Sequence, residues 1–399
     1  MAITSPGWRK ARLLASVFAA VSILGFAVAV WLAVADGNAA GGNAARGKAA
    51  TAPAAKHVAP DDAGAVHFTI SASGDLLMHQ PLLDRARANG SGGGYDFEPF
   101  FNKIAPYVAK VDLGLCHVET PMGPGPPTTY PIFNTPRELA KSIHRSGWDA
   151  CSTASNHSLD GGQAGIDGTA DALDDAGVKH TGSFSSRKRS KEPTFLRVDG
   201  VKLGFVAYTD ATNGLRPPHS WSVNTYAASD PKAGAKAIIA DARKARDKGA
   251  DAVIVQIHWG DENSQRPNAS QIAVAKKLTD SKVVTVVVGQ GPHVVQPIER
   301  VNGKFVVFSE GNLVSNQAAS TGLPAATQDG IIALLRFRAV GDDVEVRRVT
   351  YVPTWVRLGD YVVLPAKASS DPSNAGALRD SYRRTVRVVG KGGGFGPGF

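Results

Sequence analysis

The sequence predicts a layered α/β domain built on a mixed sheet, and three observations carry that prediction. Hydrophobic strand patterns alternate with amphipathic helical ones through most of the 399 residues. Two dipeptides, Asp199-Gly200 and Asn302-Gly303, sit between short apolar runs and demand hairpins, so antiparallel neighbours interrupt an otherwise parallel order. No GxGxxG or Walker A loop occurs, so the sequence offers no support to a nucleotide-binding loop. With 43% hydrophobic residues the chain can bury one large core.

At the N-terminus, Arg9, Lys10 and Arg12 precede an uncharged run over 13–35 that Asp36 closes. A helix of that length crosses ~30 Å of hydrocarbon. Residues 1–35 are therefore expected to be a membrane anchor, or a secretory signal cleaved near the Ala-rich stretch after Ala39. The anchor is favoured because the apolar part of a signal usually runs only ~7 to 15 residues. No Cys follows the run, which removes a lipoprotein anchor. On both readings the body is extracytoplasmic. The formal charge of +9 then points to an anionic cell-envelope partner, not to nucleic acid, which a translocated domain seldom meets. Residues 36–65 are Ala, Gly, Lys, Pro and Asn without an apolar face, and read as a disordered linker.

The folded domain is expected over 66–370. It opens with a strand over 66–70 running into Gly74-Asp75, then helices over 82–88 and 97–109, a strand over 111–118 and a Pro/Gly-rich loop over 121–131. A helix over 137–146, a strand over 148–155 and a helix over 162–176 stopped by Gly177 follow. After the hairpin 194–198/202–208 come a helix over 233–248, a strand over 252–257, a helix over 270–278 and a strand over 283–288. The second hairpin, 298–301/305–309, precedes a final strand pair at 331–339 and 344–352. Residues 371–399, basic and then Gly-rich, are expected to fray. Cys116 and Cys151 fall on predicted strands, where they form either a disulfide or two small buried hydrophobes. Arg187-Lys188-Arg189 with Lys191 reads as a solvated basic loop, or as a docking patch for an anionic polymer.

Polar signatures recur where hydrophobic strands end. Asp75 is a ligand or a helix N-cap; Glu119 is a second carboxylate ligand or a solvated loop charge. Asn156-His157 offers an amide oxygen beside an imidazole, with turn chemistry or a glycosylation sequon through Ser158 as the alternative. His258 must leave a buried strand as a ligand or as a satisfied core histidine, and His293 is a ligand or a turn residue. His79 reads as helix surface, with an auxiliary ligand as the other reading. Carboxylate, amide oxygen and imidazole together are the donor set of a divalent cation, and strand ends are where an α/β fold gathers them.

The ordered set Gly74-Asp75, Val118-Glu119-Thr120-Pro121, Ser155-Asn156-His157 with Asp160, and His258-Trp259-Gly260-Asp261-Glu262 continues with Gly289-Gln290-Gly291-Pro292-His293-Val294 and Ser309-Glu310-Gly311-Asn312. It resembles the calcineurin-like metallophosphoesterase layout and, more closely, the CapA family of capsule and poly-γ-glutamate biosynthesis proteins. The resemblance covers residues 68–316. It implies a layered α/β/β/α sandwich with mixed sheets in an outward-facing, membrane-anchored protein of capsular polymer synthesis or processing, working beside capsule-synthesis membrane proteins. It further implies one divalent ion, of Mn, Zn, Fe or Mg, on Asp75 and His293, a bridging Glu119, and a second ion on Asn156 and His258. His157 would be the acid-base residue of a metal-assisted hydrolysis, and Glu262 and Asn312 would line the substrate pocket. Two departures stand out. Gly291 replaces the family's usual His before Pro-His, removing an imidazole ligand, and Cys116-His117-Val118 precedes Glu119 where the family has Asn-Leu. The first departure also motivates a non-catalytic scaffold that anchors polymer, and a general envelope phosphoesterase is the third reading.

Overall fold

The computed structural model describes residues 64–390. The expected anchor or signal over 1–35, nearly all of the linker over 36–65 and the Gly-rich end of the tail lie outside the described residues. Among the described residues no helix is long and apolar enough to cross a membrane.

The first half runs β1 (Val66–Leu76), α1 (Gln80–Asn89), the single turns α2 (Glu98–Phe101) and α3 (Ala105–Val108), β2 (Leu113–Val118), α4 (Glu138–Arg145), β3 (Ala150–Ser152) and α5 (Gly162–Ala176). Then come β4 (Lys179–Thr181), α6 (Arg187–Lys191), β5 (Thr194–Val198), β6 (Val201–Thr209), α7 (Pro231–Asp247), β7 (Ala252–His258) and α8 (Ala269–Asp280). The chain finishes with β8 (Val286–Gln290), β9 (Ile298–Val301), β10 (Lys304–Val307), β11 (Asn312–Val314), β12 (Asp329–Val340), β13 (Asp343–Val356), β14 (Val363–Pro365) and α9 (Ala375–Val389).

These strands form two mixed sheets. The first has the order β14-β13-β12-β1-β2-β3-β4 with β11 beside β1; the second is β5-β6-β7-β8-β10-β9. In the first, β1 to β4 run parallel and β12 to β14 antiparallel. In the second, β6, β7, β8 and β10 are parallel, while the predicted hairpins supply the antiparallel edges β5 and β9. Both turns have positive φ at their two central residues, Asp199 with Gly200 and Asn302 with Gly303, as two-residue hairpins require.

Strand periodicity decides the layering. Phe68 and Ile70 of β1 meet Phe205, Ile254, Val288 and Val307 between the sheets. The outer face of the first sheet packs Cys116 and Val118 against Leu83, Leu139, Ile143 and Leu173 of α1, α4 and α5. The outer face of the second packs Val253, Val255 and Ile257 against Ile238, Val274 and Leu278 of α7 and α8. Helix, sheet, sheet, helix is the α/β/β/α sandwich expected.

Local departures have identifiable causes. The helix expected over 97–109 breaks into two turns because Pro99 and Pro106 each open one and neither can donate into a continuous ladder. The strand expected over 148–155 stops at Ser152, since Ser158 captures the next backbone groups: its Oγ donates to Thr153 O (2.7 Å) and accepts from Ser155 N (2.7 Å). The tail beyond Asp371 is corrected more fully. Arg379, Arg383 and Arg387 face out from α9, whose buried stripe is Leu378, Ser381, Thr385, Val386 and Val389. Arg384 fixes the helix to the sheet by a two-point pair with Asp329 (2.7 and 2.8 Å). The basic segment at 187–191 is the helical turn α6, capped by Ser186, with Arg189 paired to Asp174 (2.7 Å). Cys116 and Cys151 are bonded across the neighbouring strands β2 and β3, with Cα atoms 4.4 Å apart.

Candidate metal centre

All the sequence signatures lie at the C-terminal rims of the parallel strands, and a strap after β10 joins the two rims. Glu310 N donates to Gly289 O (3.0 Å) on the second sheet, and Asp75 N donates to Gly311 O (3.1 Å) on the first. Gly74 makes this close approach possible: a Cβ there would lie 1.8 Å from Gly311 O. Asp75 is thereby aimed from the end of β1 into the space between the sheets.

Around it gather His117 and Glu119 from β2 and its extension, His258 from the end of β7, and His293 from the turn after β8. All five are buried. His293 Nδ1 lies 3.1 Å from Asp75 Oδ2 and 3.0 Å from Asn312 Oδ1, and its Nε2 lies 3.7 Å from Glu119 Oε1. His258 Nε2 is 3.8 Å from Glu119 Oε1, and His117 Nε2 is 3.9 Å from Asp75 Oδ1. Two sets of donor atoms emerge, each within 4.8 Å: Asp75, Glu119 and His293, and Asp75, His117 and His258.

Electrostatics reinforce the grouping. Burial and the charge of Glu119 raise Asp75 above the ordinary carboxylate range. Burial opposes the charge on Glu119 as well, but His293 and His258 outweigh it and hold Glu119 below its usual value. His293 overcomes burial through Glu119 and Asp75 and is pushed up to about 10, while His258 is raised against burial by its Glu119 contact. His117, between burial and His258, is pushed down to about 3 and is neutral.

The other expected residues divide. Asn156 is buried beside Asn213, its Nδ2 donating to Asn213 Oδ1 (3.3 Å), while its own Oδ1 has no hydrogen-bond partner among the described residues. His157 Nδ1 is held by Asp160 Oδ2 (2.8 Å), and the Phe133 ring packs edge-on at 4.7 Å. Glu262 is exposed in the turn after β7, close enough for its charge to favour protonated His293. Asn312, expected to line the pocket, is fully buried with its Oδ1 3.0 Å from His293 Nδ1; its Nδ2 donates to Gln317 Oε1 (3.0 Å) and Thr327 O (2.9 Å). His79 caps the start of α1, and its Nδ1 accepts from Asn316 N (3.3 Å).

Two residues escaped the sequence reading. His117 stands inside an apolar strand and shows in the sequence only as part of a departure from Asn-Leu, although its two-residue spacing from Glu119 puts both on one face. Asn213, at φ 50°, reaches both Asn156 and His157 from a loop more than fifty positions away, and nothing local marks it.

The donor set fits a divalent cation. Among the described residues, Asp75 Oδ1, both Glu119 oxygens, Asn156 Oδ1, His117 Nε2 and both His258 nitrogens are buried without hydrogen-bond partners. Each such atom costs about 1–3 kcal/mol if left unmatched, so this many at one rim calls for a ligand that satisfies them together.

Comparison with known proteins agrees on the region. Residues 69–317 match the family model described as bacterial capsule synthesis protein PGA_cap. The capsule biosynthesis protein CapA of Bacillus anthracis is 25% identical over 267 residues, 62% of this chain and 60% of that protein. The PGA biosynthesis protein CapA of Bacillus subtilis is 29% identical over 186 residues, 46% of this chain and 47% of that one. A probable polyglutamine synthesis accessory protein of Mycobacterium tuberculosis is 27% identical over 172 residues, 42% of this chain and 45% of its own. The matches thus span about half the length of these relatives. Among solved structures, the calcineurin-like phosphoesterase YfkN from Bacillus subtilis aligns with a TM-score of 0.43 at 15% identity, covering 81% of this chain and 98% of that one.

Proposed function

The chain belongs to the PGA_cap family of bacterial capsule synthesis proteins, and from that premise we propose that it acts on an anionic cell-envelope polymer of the poly-γ-glutamate type as a metal-dependent hydrolase. The proposal places the folded body outside the cytoplasm, tethered by the apolar segment over 13–35 beside the membrane proteins of capsule synthesis. The observation that carries it is the convergence of buried, unpartnered Asp, Glu, Asn and His donor atoms at one rim.

Asp75, Glu119, Asn156, His258 and His293 would hold the metal, Mn, Zn, Fe or Mg. Bound there, a divalent cation supplies Lewis acidity, polarising a phosphoryl or acyl oxygen and making water a nucleophile near neutral pH. The protein's own part is orientation and proton transfer. Asp160 fixes His157 through Nδ1, which leaves Nε2 to hand a proton to the leaving group. Asn213 lies beside the same ring, its Nδ2 3.4 Å from Nδ1, a packing contact and not a hydrogen bond while Nδ1–H serves Asp160. Asn312 orients His293.

The test is metal content and turnover of the purified full chain on a phosphodiester and a γ-glutamyl anilide. Wild type is expected to carry metal and turn over one of them, Asp75→Ala to lose the metal, and His157→Ala to keep it while losing turnover. Metal content identical in wild type, Asp75→Ala and His258→Ala would reject the proposal. Gly291, with no side chain to offer the cation, favours a second reading as a polymer-anchoring scaffold. Wild type that carries metal and binds polymer without turnover would select it.

A further inference from the structure

We propose that His117 completes a second cation position with Asp75 and His258, supplying from β2 the imidazole that this chain lacks at position 291. The inference rests on the metal-centre reading and goes beyond it, since that reading needs no ligand from within β2.

The orientation of His117 is that of a ligand. Its Nδ1 is 2.7 Å from Ser152 Oγ, whose own hydrogen can point to Cys116 O at 3.5 Å. With the hydroxyl hydrogen so engaged, Oγ accepts from Nδ1–H, which leaves Nε2 as the ring atom facing Asp75. That nitrogen has no partner among the described residues, nor does Asp75 Oδ1, 3.9 Å away. The gap is too long for a hydrogen bond, yet two ligands of one ion at ~2.1 Å each can stand up to ~4.2 Å apart. A core histidine satisfied by Asp75 would have closed the distance. One ring nitrogen held by the protein and the other bare is the usual state of a metal-binding histidine.

Position 291 explains why the imidazole comes from elsewhere. Gly291 has φ +107°, a conformation L side chains rarely adopt, and a Cβ there would sit 3.0 Å from His258 Cε1 and from Trp259 N and O. His117 approaches His258 from β2, with ring centroids 5.3 Å apart. The pairing of Cys116 with Cys151 and of His117 with Ser152 along β2 and β3 lets the neighbouring disulfide hold the register on which the His117–Ser152 bond depends.

The experiment is Co(II) titration of the metal-free full chain, read by ions bound per chain after equilibrium dialysis and by the visible ligand-field spectrum. Wild type is expected to bind two ions and His117→Asn one, with a changed spectrum. Ser152→Ala removes only the orienting hydroxyl and guards against misfolding of the first variant; it is expected to weaken the second ion about 10- to 100-fold. Two ions bound equally well by wild type, His117→Asn and Ser152→Ala, or a single ion indifferent to both substitutions, would overturn the inference and leave the metal centre standing. No Co(II) bound by wild type would remove the metal-centre reading itself.

Discussion

The two sheets bring their side chains to the rim by different means. On the first sheet the functional groups are braced by hydrogen bonds: His117 by Ser152, His157 by Asp160, and the Glu119 backbone by Ser155 Oγ, which donates to its carbonyl at 2.6 Å. On the second, His258 has neither ring nitrogen hydrogen-bonded among the described residues and is placed by backbone proximity, hemmed by Gly291 and followed by Trp259, whose Nε1 donates to Phe308 O (2.9 Å). His117 and His157 are therefore sensitive to losing a polar partner, as is His293 beside Asn312, whereas His258 is sensitive to a carbon gained at position 291.

That contrast can be broken at several points. The largest effect is expected at Asp75, shared by both donor sets: Asp75→Ala should abolish Co(II) binding altogether, measured by dialysis, while circular dichroism shows the metal-free protein still folded. Residual binding of one ion would show that the sets are independent. Gly74→Ala comes next, because its methyl would lie 1.8 Å from the Gly311 carbonyl of the strap. A loss of at least about 3 kcal/mol in denaturant unfolding is expected, at the upper end of overpacking costs. An unchanged midpoint would mean that the strap yields freely. Gly291→Ala should cost about 1–2 kcal/mol through positive φ and contact with His258, and should weaken only the ion at His117 and His258. Equal weakening at both ions would erase the distinction between the donor sets. The smallest change is expected for Asn312→Ala, which removes one of the two partners of His293 Nδ1 and leaves Asp75 as the other, and should lower affinity for the other ion about tenfold in a competition titration. Loss of the His117 ion in its place would reverse the assignment.

Much of this architecture was legible because it is local. The hairpins at Asp199-Gly200 and Asn302-Gly303 follow from turn chemistry, and α5 begins and ends where its sequence pattern does, at Gly162 and Ala176. The strand-end positions of Asp75, Glu119, His258 and His293 were visible because a polar residue after an apolar run has to leave the sheet. What escaped depends on distance or on two-residue periodicity. His117 looks like one polar residue in a hydrophobic strand until Asp75 and His258 are seen beside it. The contact of Asn312 with His293 shows only once the strap is in place, and α9 was hidden by arginines on the exposed side of a buried stripe that is partly polar. Sequence separation alone left open whether Cys116 and Cys151 pair; the in-register partnership of β2 and β3 decides it.

The most direct measurement is anomalous diffraction at the metal absorption edge from crystals of the full chain grown with Mn or Co. A peak between the sheets, in contact with Asp75 and with His117, Glu119, His258 or His293 around it, is the predicted result. Ordered crystals whose anomalous peaks all lie elsewhere, with the Asp75 carboxylate bonded only to protein, would contradict it.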